Sequence, residues 1–477
     1  MTKTRSAATA LVNGVWHSSL RGVSGRITHM VLIVALAGVL PGCATYHPKP
    51  LDEARLSETL EPQSAKELAR EAARFVHPRL APITLDLSKP LTGEELGVIA
   101  VLVSPELKAL RRQEQVAQAQ VFAAGLLPDP VLSGGLDSPI GAPPVVSGLV
   151  NAYNVGLNLA IAALATRPAD LRIARADAER VRYDVAWQEW LVANQARLLA
   201  RRIGLLERQV GVAERSARIA GHLLDLTRQN LERGDATIEQ FGLREVAYLD
   251  ARDRALALAG QVERARQDLN RVLGLPPGET VALADVNVSL TPPTDAAALF
   301  SQARRERLDL AALGAGYASQ EARVYRTVLG QYPSFGLGVS RARDTGAIVT
   351  QGFHVSLDIP LFNRNRGAIA VAEATRDQLY QEYIARLHKT RADIATLVAE
   401  LQRVVQQHAA LSRELPDLGR AEEALRKAVE DGDVTLVSYE TVRAARLDKE
   451  LTLLSLKQAA AEGQVALQLA VGAPLSP

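Results

Sequence analysis

From Tyr153 to Ile161 every second residue is apolar (Tyr153, Val155, Leu157, Leu159, Ile161), while Asn154, Gly156, Asn158 and Ala160 fill the alternate positions. The same two-residue period recurs in Phe335, Leu337 and Val339 against Gly336, Gly338 and Ser340. It recurs again in Phe353, Val355, Leu357, Ile359 and Leu361 against His354, Ser356, Asp358 and Pro360. This alternation predicts strands with one apolar and one small or polar face. Elsewhere the period is helical. Leu171, Ala174, Ala178, Val181 and Val185 are spaced by threes and fours, as are Ile203, Leu206, Val210, Ala213, Ala217, Ala220 and Leu224. Ile394, Leu397, Leu401, Val404, His408, Leu411 and Leu415 repeat the pattern. These are coiled-coil seams with small residues, suited to close packing. They predict two helices of about 60 residues, the first starting near Ala169 with Pro168 in its first turn, each on the order of 90 Å long.

The patterns occur in the same order twice. Arg233-Gly234-Asp235-Ala236-Thr237-Ile238 aligns with Asp431-Gly432-Asp433-Val434-Thr435-Leu436 at an offset of 198, and Val272-Leu273-Gly274-Leu275-Pro276 with Ala470-Val471-Gly472-Ala473-Pro474 at the same offset. Upstream of the strands the offset becomes 203, pairing Glu106-Leu107 with Asp309-Leu310 and Pro130 with Pro333. The predicted organisation is two repeats, 95–277 and 298–477, joined by a linker at 278–297. Each holds a helix, two short strands, a very long helix, a glycine turn and a second helix. The fold class is mainly α with a small β part.

Strands of nine or ten residues with one apolar face match a membrane β-barrel wall with lipid outside and water inside, and a half-buried sheet on a soluble core alternates in the same way. The rods flanking these strands offer no core to cover them. Four strands cannot close a barrel, and an open edge in lipid leaves backbone groups unpaired. Three chains of four strands make a barrel of twelve, wide enough to hold water.

The first 42 residues alter the charge picture. Lys3, Arg5, Arg21 and Arg26 precede an apolar run, Val31 to Leu40, and no acidic residue comes before Cys43. That run is the length of a signal-peptide core and too short for a spanning helix. Without those four cations, 51 Lys and Arg stand against 53 Asp and Glu, which leaves no basic excess for nucleic acid. Leu40-Pro41-Gly42-Cys43 resembles the lipobox of bacterial lipoproteins, and Cys43 is the only cysteine, so disulfides within the chain and thiolate metal clusters are excluded. Residues 1–42 therefore read as a signal peptide, Cys43 as a lipid attachment site, and 43–94 as an anchored tether with an N-terminal helix. Because Ala44 follows Cys43, sorting to the outer membrane is expected.

No phosphate-loop, zinc-protease or nucleophile-elbow spacing is present, and the eight His are scattered with no pair four apart. The sequence points to no enzyme, no cofactor and no defined metal site. His354, on the polar strand face, is in a position to meet passing metal or simply to be solvated.

Two repeats of helix, hairpin, long helix and glycine turn resemble the TolC family of outer-membrane factors. The resemblance covers roughly residues 95 to 475. It implies an α-barrel of antiparallel coiled coils on a twelve-strand trimeric barrel, in the outer membrane and extending into the periplasm. It also implies service as exit duct for a periplasmic adaptor and a proton-driven inner-membrane pump. Asp358-Ile359-Pro360-Leu361-Phe362-Asn363-Arg364-Asn365-Arg366-Gly367 resembles the strand–helix junction of the family's cobalt, zinc and cadmium efflux branch. Pro360 ends ladder pairing, Phe362 suits the membrane interface, Asn363, Arg364, Asn365 and Arg366 form a polar turn, and Gly367 admits the chain to the helix. The resemblance places a constriction at the glycine turns, among Gly234, Asp235, Asp431, Gly432, Asp433, Ser438, Glu440 and Thr441. Relatives carry paired acidic residues where Ser438 and Thr441 stand here, so an acidic ring falls to Asp431, Asp433 or Glu440; alternatively, Asp431 and Asp433 cap the next helix. A pore-less periplasmic adaptor or structural lipoprotein shares the anchor and the coiled coils, but needs one helical hairpin rather than two.

Overall fold

The computed structural model describes residues 45–61, 63–141, 148–291 and 295–475. The predicted signal segment, Cys43 and residues 292–294 of the linker lie outside the described residues. The chain divides at Glu61 into two units. The first contributes, among its described residues, one helix, α1 (Glu53–Leu60).

The second unit opens with α2 (Ala65–Ala73). The first repeat then runs α3 (Gly93–Val103), α4 (Pro105–Gly125), β1 (Val131–Asp137), β2 (Ala152–Ala160), α5 (Ile161–Arg233) and α6 (Ile238–Leu273). The second runs α7 (Ala296–Glu306), α8 (Leu308–Leu329), β3 (Ser334–Arg343), β4 (Val349–Asp358), α9 (Arg366–Glu430) and α10 (Leu436–Val471). The leading helix is broken in each copy. Before Pro105, Ser104 is forced to an extended ψ of 121° and caps α4 through its hydroxyl; Arg307 breaks the second copy with a ψ of 118°.

Three stages of four elements lie end to end. The sheet is antiparallel in the order β1-β2-β3-β4. Beyond it the helices neighbour one another in the order α4-α5-α8-α9, and beyond those in the order α6-α5-α10-α9. The two long helices, 73 and 65 residues, run through both helical stages and are roughly 110 and 100 Å long.

The core sits where the helical stages meet and obeys the repeat. One cluster holds Ala100, Ala196, Ala200, Ile203, Leu269, Val272 and Leu273, and the other holds Ala303, Ile394, Val398, Leu401, Leu467, Ala470 and Val471. Each residue of the second is the offset partner of one in the first. The 278–297 stretch is no free tether: Leu91 bridges Leu283, and Val288 is buried against Leu205, Ala460 and Ala461.

Three sequence expectations need correction. α5 begins at Ile161, eight residues before Ala169, so Pro168 lies inside the helix rather than in its first turn. Arg167 anchors this stretch by donating from Nε to the Gly125 carbonyl at 3.0 Å. Ile161 therefore belongs to a helix, and Ile359, Pro360 and Leu361 fall beyond the end of β4. Gly367 supplies no special backbone freedom, since the left-handed residues of the junction are Arg364 (φ 47°) and Asn365 (φ 57°).

Candidate functional site

At the far end of the rods both helical hairpins turn in the same way. Gly234 (φ 83°) and Gly432 (φ 81°) are left-handed. The amides after them, Asp235 N–H and Asp433 N–H, each donate at 2.8 Å to the carbonyls of Asn230 and Ala428. This is the hydrogen-bond closure of a glycine-terminated helix. The following helix is capped by threonine in each copy. Thr237 Oγ1 accepts from Gln240 N–H at 3.2 Å while Gln240 Oε1 accepts from Thr237 N–H at 3.0 Å. Thr435 Oγ1 accepts from Ser438 N–H at 3.3 Å. Neither Asp431 nor Asp433 caps α10, which corrects the capping alternative: Asp431 closes α9, and both side chains are exposed.

The other predicted entrance residues separate. Asp235 and Ser438 are exposed at the turns. Thr441 is exposed and donates to the Val437 carbonyl at 2.7 Å. Glu440 is not on the surface, with 5% exposure. Its carboxylate lies 3.4 Å from Arg443 Nη1 and 3.9 Å from Nδ1 of His222 on α5. Arg443 Nε is 3.7 Å from Glu422 of α9, Arg446 pairs with the same Glu422 and with Glu450 at 3.5 Å, and Glu450 reaches Arg215 of α5 at 3.3 Å. Near the tip, α10 is thus tied on one side to α5 and on the other to α9. The sequence reading missed this ladder; its signal was the spacing of Arg443, Arg446 and Glu450 along one side of α10.

At the opposite end the register places Tyr153, Val155, Leu157, Leu159, Leu337, Val339, Phe353, Val355 and Leu357 on one face of the sheet. Asn154, Gly156, Asn158, Gly338, Ser340, His354 and Ser356 occupy the other. His354 Nε2 lies 2.5 Å from Asn158 Oδ1, reaching across Gly338, whose missing side chain makes the room. At the junction, Asn365 donates to the Thr327 carbonyl at 2.8 Å and so pins the start of α9 to α8, while Phe362 is 93% exposed. Among the described residues no helix is long and apolar enough to cross a membrane. Also among them, no group of three or more His, Cys, Asp and Glu side chains is placed to hold a metal ion.

The fold is three stacked four-element stages ending in a sheet with one apolar face. Solved structures share it. The chain resembles the CusC structure, described as undergoing transmembrane channel formation, with a TM-score of 0.63 and 17% identity over 84% of this chain and 98% of that one. It resembles the outer-membrane channel OprN with a TM-score of 0.67 and 15% identity over 90% and 99%. For the outer membrane protein VceC from Vibrio cholerae the values are 0.64 and 15% over 81% and 100%. No curated protein matches. Residues 299–473, which run from within α7 to just past α10, match the family model described as outer membrane efflux protein. That match and the shared fold support the outer membrane efflux protein family for this chain, a family of transport ducts, and the protein is not an enzyme.

Proposed function

We propose that the chain is one subunit of a homotrimeric outer-membrane exit duct. It passes cargo outward from a periplasmic adaptor and an inner-membrane pump. The observation that carries this reading is the edge pattern of the three stages. Each is a row of four with two open edges: β1 and β4, α4 and α9, α6 and α9. The helical edges carry exposed apolar side chains, among them Phe122 on α4, Leu243, Val246 and Leu249 on α6, and Val371 on α9. α5 has buried residues as far as Thr227, whereas α9 has none past Leu401. A head-to-tail contact that joins β4 of one copy to β1 of the next also joins α9 to α4 and α6, and such contacts close into a ring. Three copies give twelve strands and leave no strand edge in lipid. Native mass spectrometry of the detergent-extracted protein tests this: a trimer that conducts in planar bilayers is expected, and a stable monomer refutes the reading.

Acylation at Cys43 completes the proposal by anchoring the mature N-terminus, and mass spectrometry of that terminus checks it. For cargo we favour heavy-metal cations, on the strength of the junction from Asp358 to Gly367. Deleting the gene and exposing cells to metal ions, drugs and dyes is the test. Sensitivity confined to organic compounds overturns the metal assignment and leaves the duct.

A further inference from the structure

The apolar face of the sheet does not stay apolar along its whole length. On β3 the outward positions run Phe335, Leu337, Val339, Arg341, Arg343, and on β4 the outward partner of Arg341 is Gln351. Arg341 stands beside Val155 and Arg343 beside Tyr153 on the same face. A cation facing lipid costs most at the bilayer midplane and least at its rim, so these residues mark a rim. The other rim is aromatic: exposed Tyr332, Phe335 and Phe362 cluster where the strands meet the helices. From Phe335 to Arg343 is a step of eight positions, roughly 27 Å along the strand and about 20 Å along the axis of a barrel whose strands tilt by about 40°, close to the roughly 25 Å apolar band of a membrane barrel. The arginines lie at the end away from the rods.

Their local partners leave a charge to be met. Arg343 is held in place, donating from Nη2 to the Asn151 carbonyl at 2.9 Å with its guanidinium 5.4 Å from the Tyr153 ring centre. The Arg341 side chain is exposed and has no ion pair or hydrogen bond to a described residue. The carboxylates nearby point elsewhere. Asp344 closes its own turn by accepting from Ile348 N–H at 2.9 Å, and Asp137 pairs with Ala152 on the opposite face.

We propose that Arg341 and Arg343, with Gln351 beside them, bind the phosphate groups of an outer-leaflet glycolipid of the lipid A type. The open guanidinium fork of Arg341 suits bidentate contact with phosphate, Arg343, whose Nε and Nη2 both donate to the Asn151 carbonyl, adds its charge and its Nη1 from the same face two residues away, and their stems lie along the apolar wall while the charges reach the headgroups. This inference rests on the duct reading, which puts the rods in the periplasm and the arginine rim in the outer leaflet.

The test is native mass spectrometry of the full-length detergent-extracted protein titrated with lipid A, with dephosphorylated lipid A and phosphatidylethanolamine as comparisons. The parent, Arg341→Gln and the double variant Arg341→Gln with Arg343→Gln are compared, and the oligomer mass in the same spectra reports folding. Expected is retention of lipid A by the parent, at least tenfold weaker retention by the double variant, and no preference for the dephosphorylated form. A parent that conducts in phospholipid bilayers but holds lipid A no better than either variant overturns the lipid site and leaves the duct. Equal retention of the dephosphorylated form overturns it as well. A parent that forms no channel at all overturns the duct reading and this one together.

Discussion

Asp309 shows how one side chain fixes the junction between stages. It is 6% exposed, bonded to Arg307 at 2.9 and 2.7 Å and to Arg386 of α9 at 2.7 Å. Burial pushes its carboxyl upward, but hydrogen bonding and charge from Arg307 and then Arg386 more than offset this, leaving it below its ordinary value of 3.8. A depressed carboxylate contributes stability that is complete above its ordinary value and lost as pH falls through the lowered one. Asp309→Asn leaves two arginines facing a neutral group, with an expected loss of about 3–5 kcal/mol at neutral pH. Thermal denaturation in detergent checks this, and the gap from the parent should narrow progressively below about pH 4. At the tip, Glu440→Gln removes the charge that His222 and Arg443 share, so single-channel recordings are expected to show a higher open probability. Asp431→Ala and Asp433→Ala, by contrast, are expected to weaken divalent-cation block without loosening α10, because Thr435 is its cap. Unchanged block in both variants would remove these two carboxylates from the constriction that the resemblance places at the glycine turns. The burial of Glu440 was not legible in the sequence, since His222 comes from a helix more than two hundred residues away and no local pattern announces it.

Among the elements, the two glycine turns were the most legible because a left-handed residue leaves a fixed local signature. Gly234→Ala and Gly432→Ala each force a methyl group into that conformation and should cost about 1–2 kcal/mol, to a similar extent in both copies. Matched shifts in denaturation midpoint would verify the equivalence. The strand–helix boundaries were less legible for a physical reason. Leu159 and Ile161 continue the two-residue period of β2, yet Ile161 also starts α5, so the alternation runs over the boundary. At the other copy Ile359 and Leu361 keep the period after pairing has ended, because Asp358 is the last residue that β3 holds in the ladder. The arginine end of β3 failed in the opposite sense, as the apolar rhythm stops at Val339 while the ladder continues to Arg343. α9 holds a further difference between the copies. Pro416 lies within it, three residues before Gly419, beside a cavity of about 680 Å³ that reaches Glu422, Arg426, Tyr439 and Arg446. The first copy has no proline at the matching place, so α9 is the rod with the weaker lower half.

For the whole molecule, the proposed assembly rests on the edge faces. Leu243→Asp combined with Leu249→Asp puts charges on the exposed apolar side of α6, and the expected result is a loss of trimer with helical content unchanged. Native mass spectrometry and circular dichroism together check it; an intact trimer would remove α6 from the interface. The sheet edges bear on the life of the protein before assembly. On the proposed reading, a newly exported subunit carries β1 and β4 with unpaired N–H and C=O groups along their outer sides, and any other strand can dock there. In the proposed trimer, ring closure needs three subunits to meet, so its rate falls steeply with dilution, whereas edge-to-edge sticking needs only two. The yield of ducts is then set by a race between assembly and aggregation, and escort by holding chaperones, removal of orphan subunits by envelope proteases and capture at the membrane surface are the means by which a cell would win it.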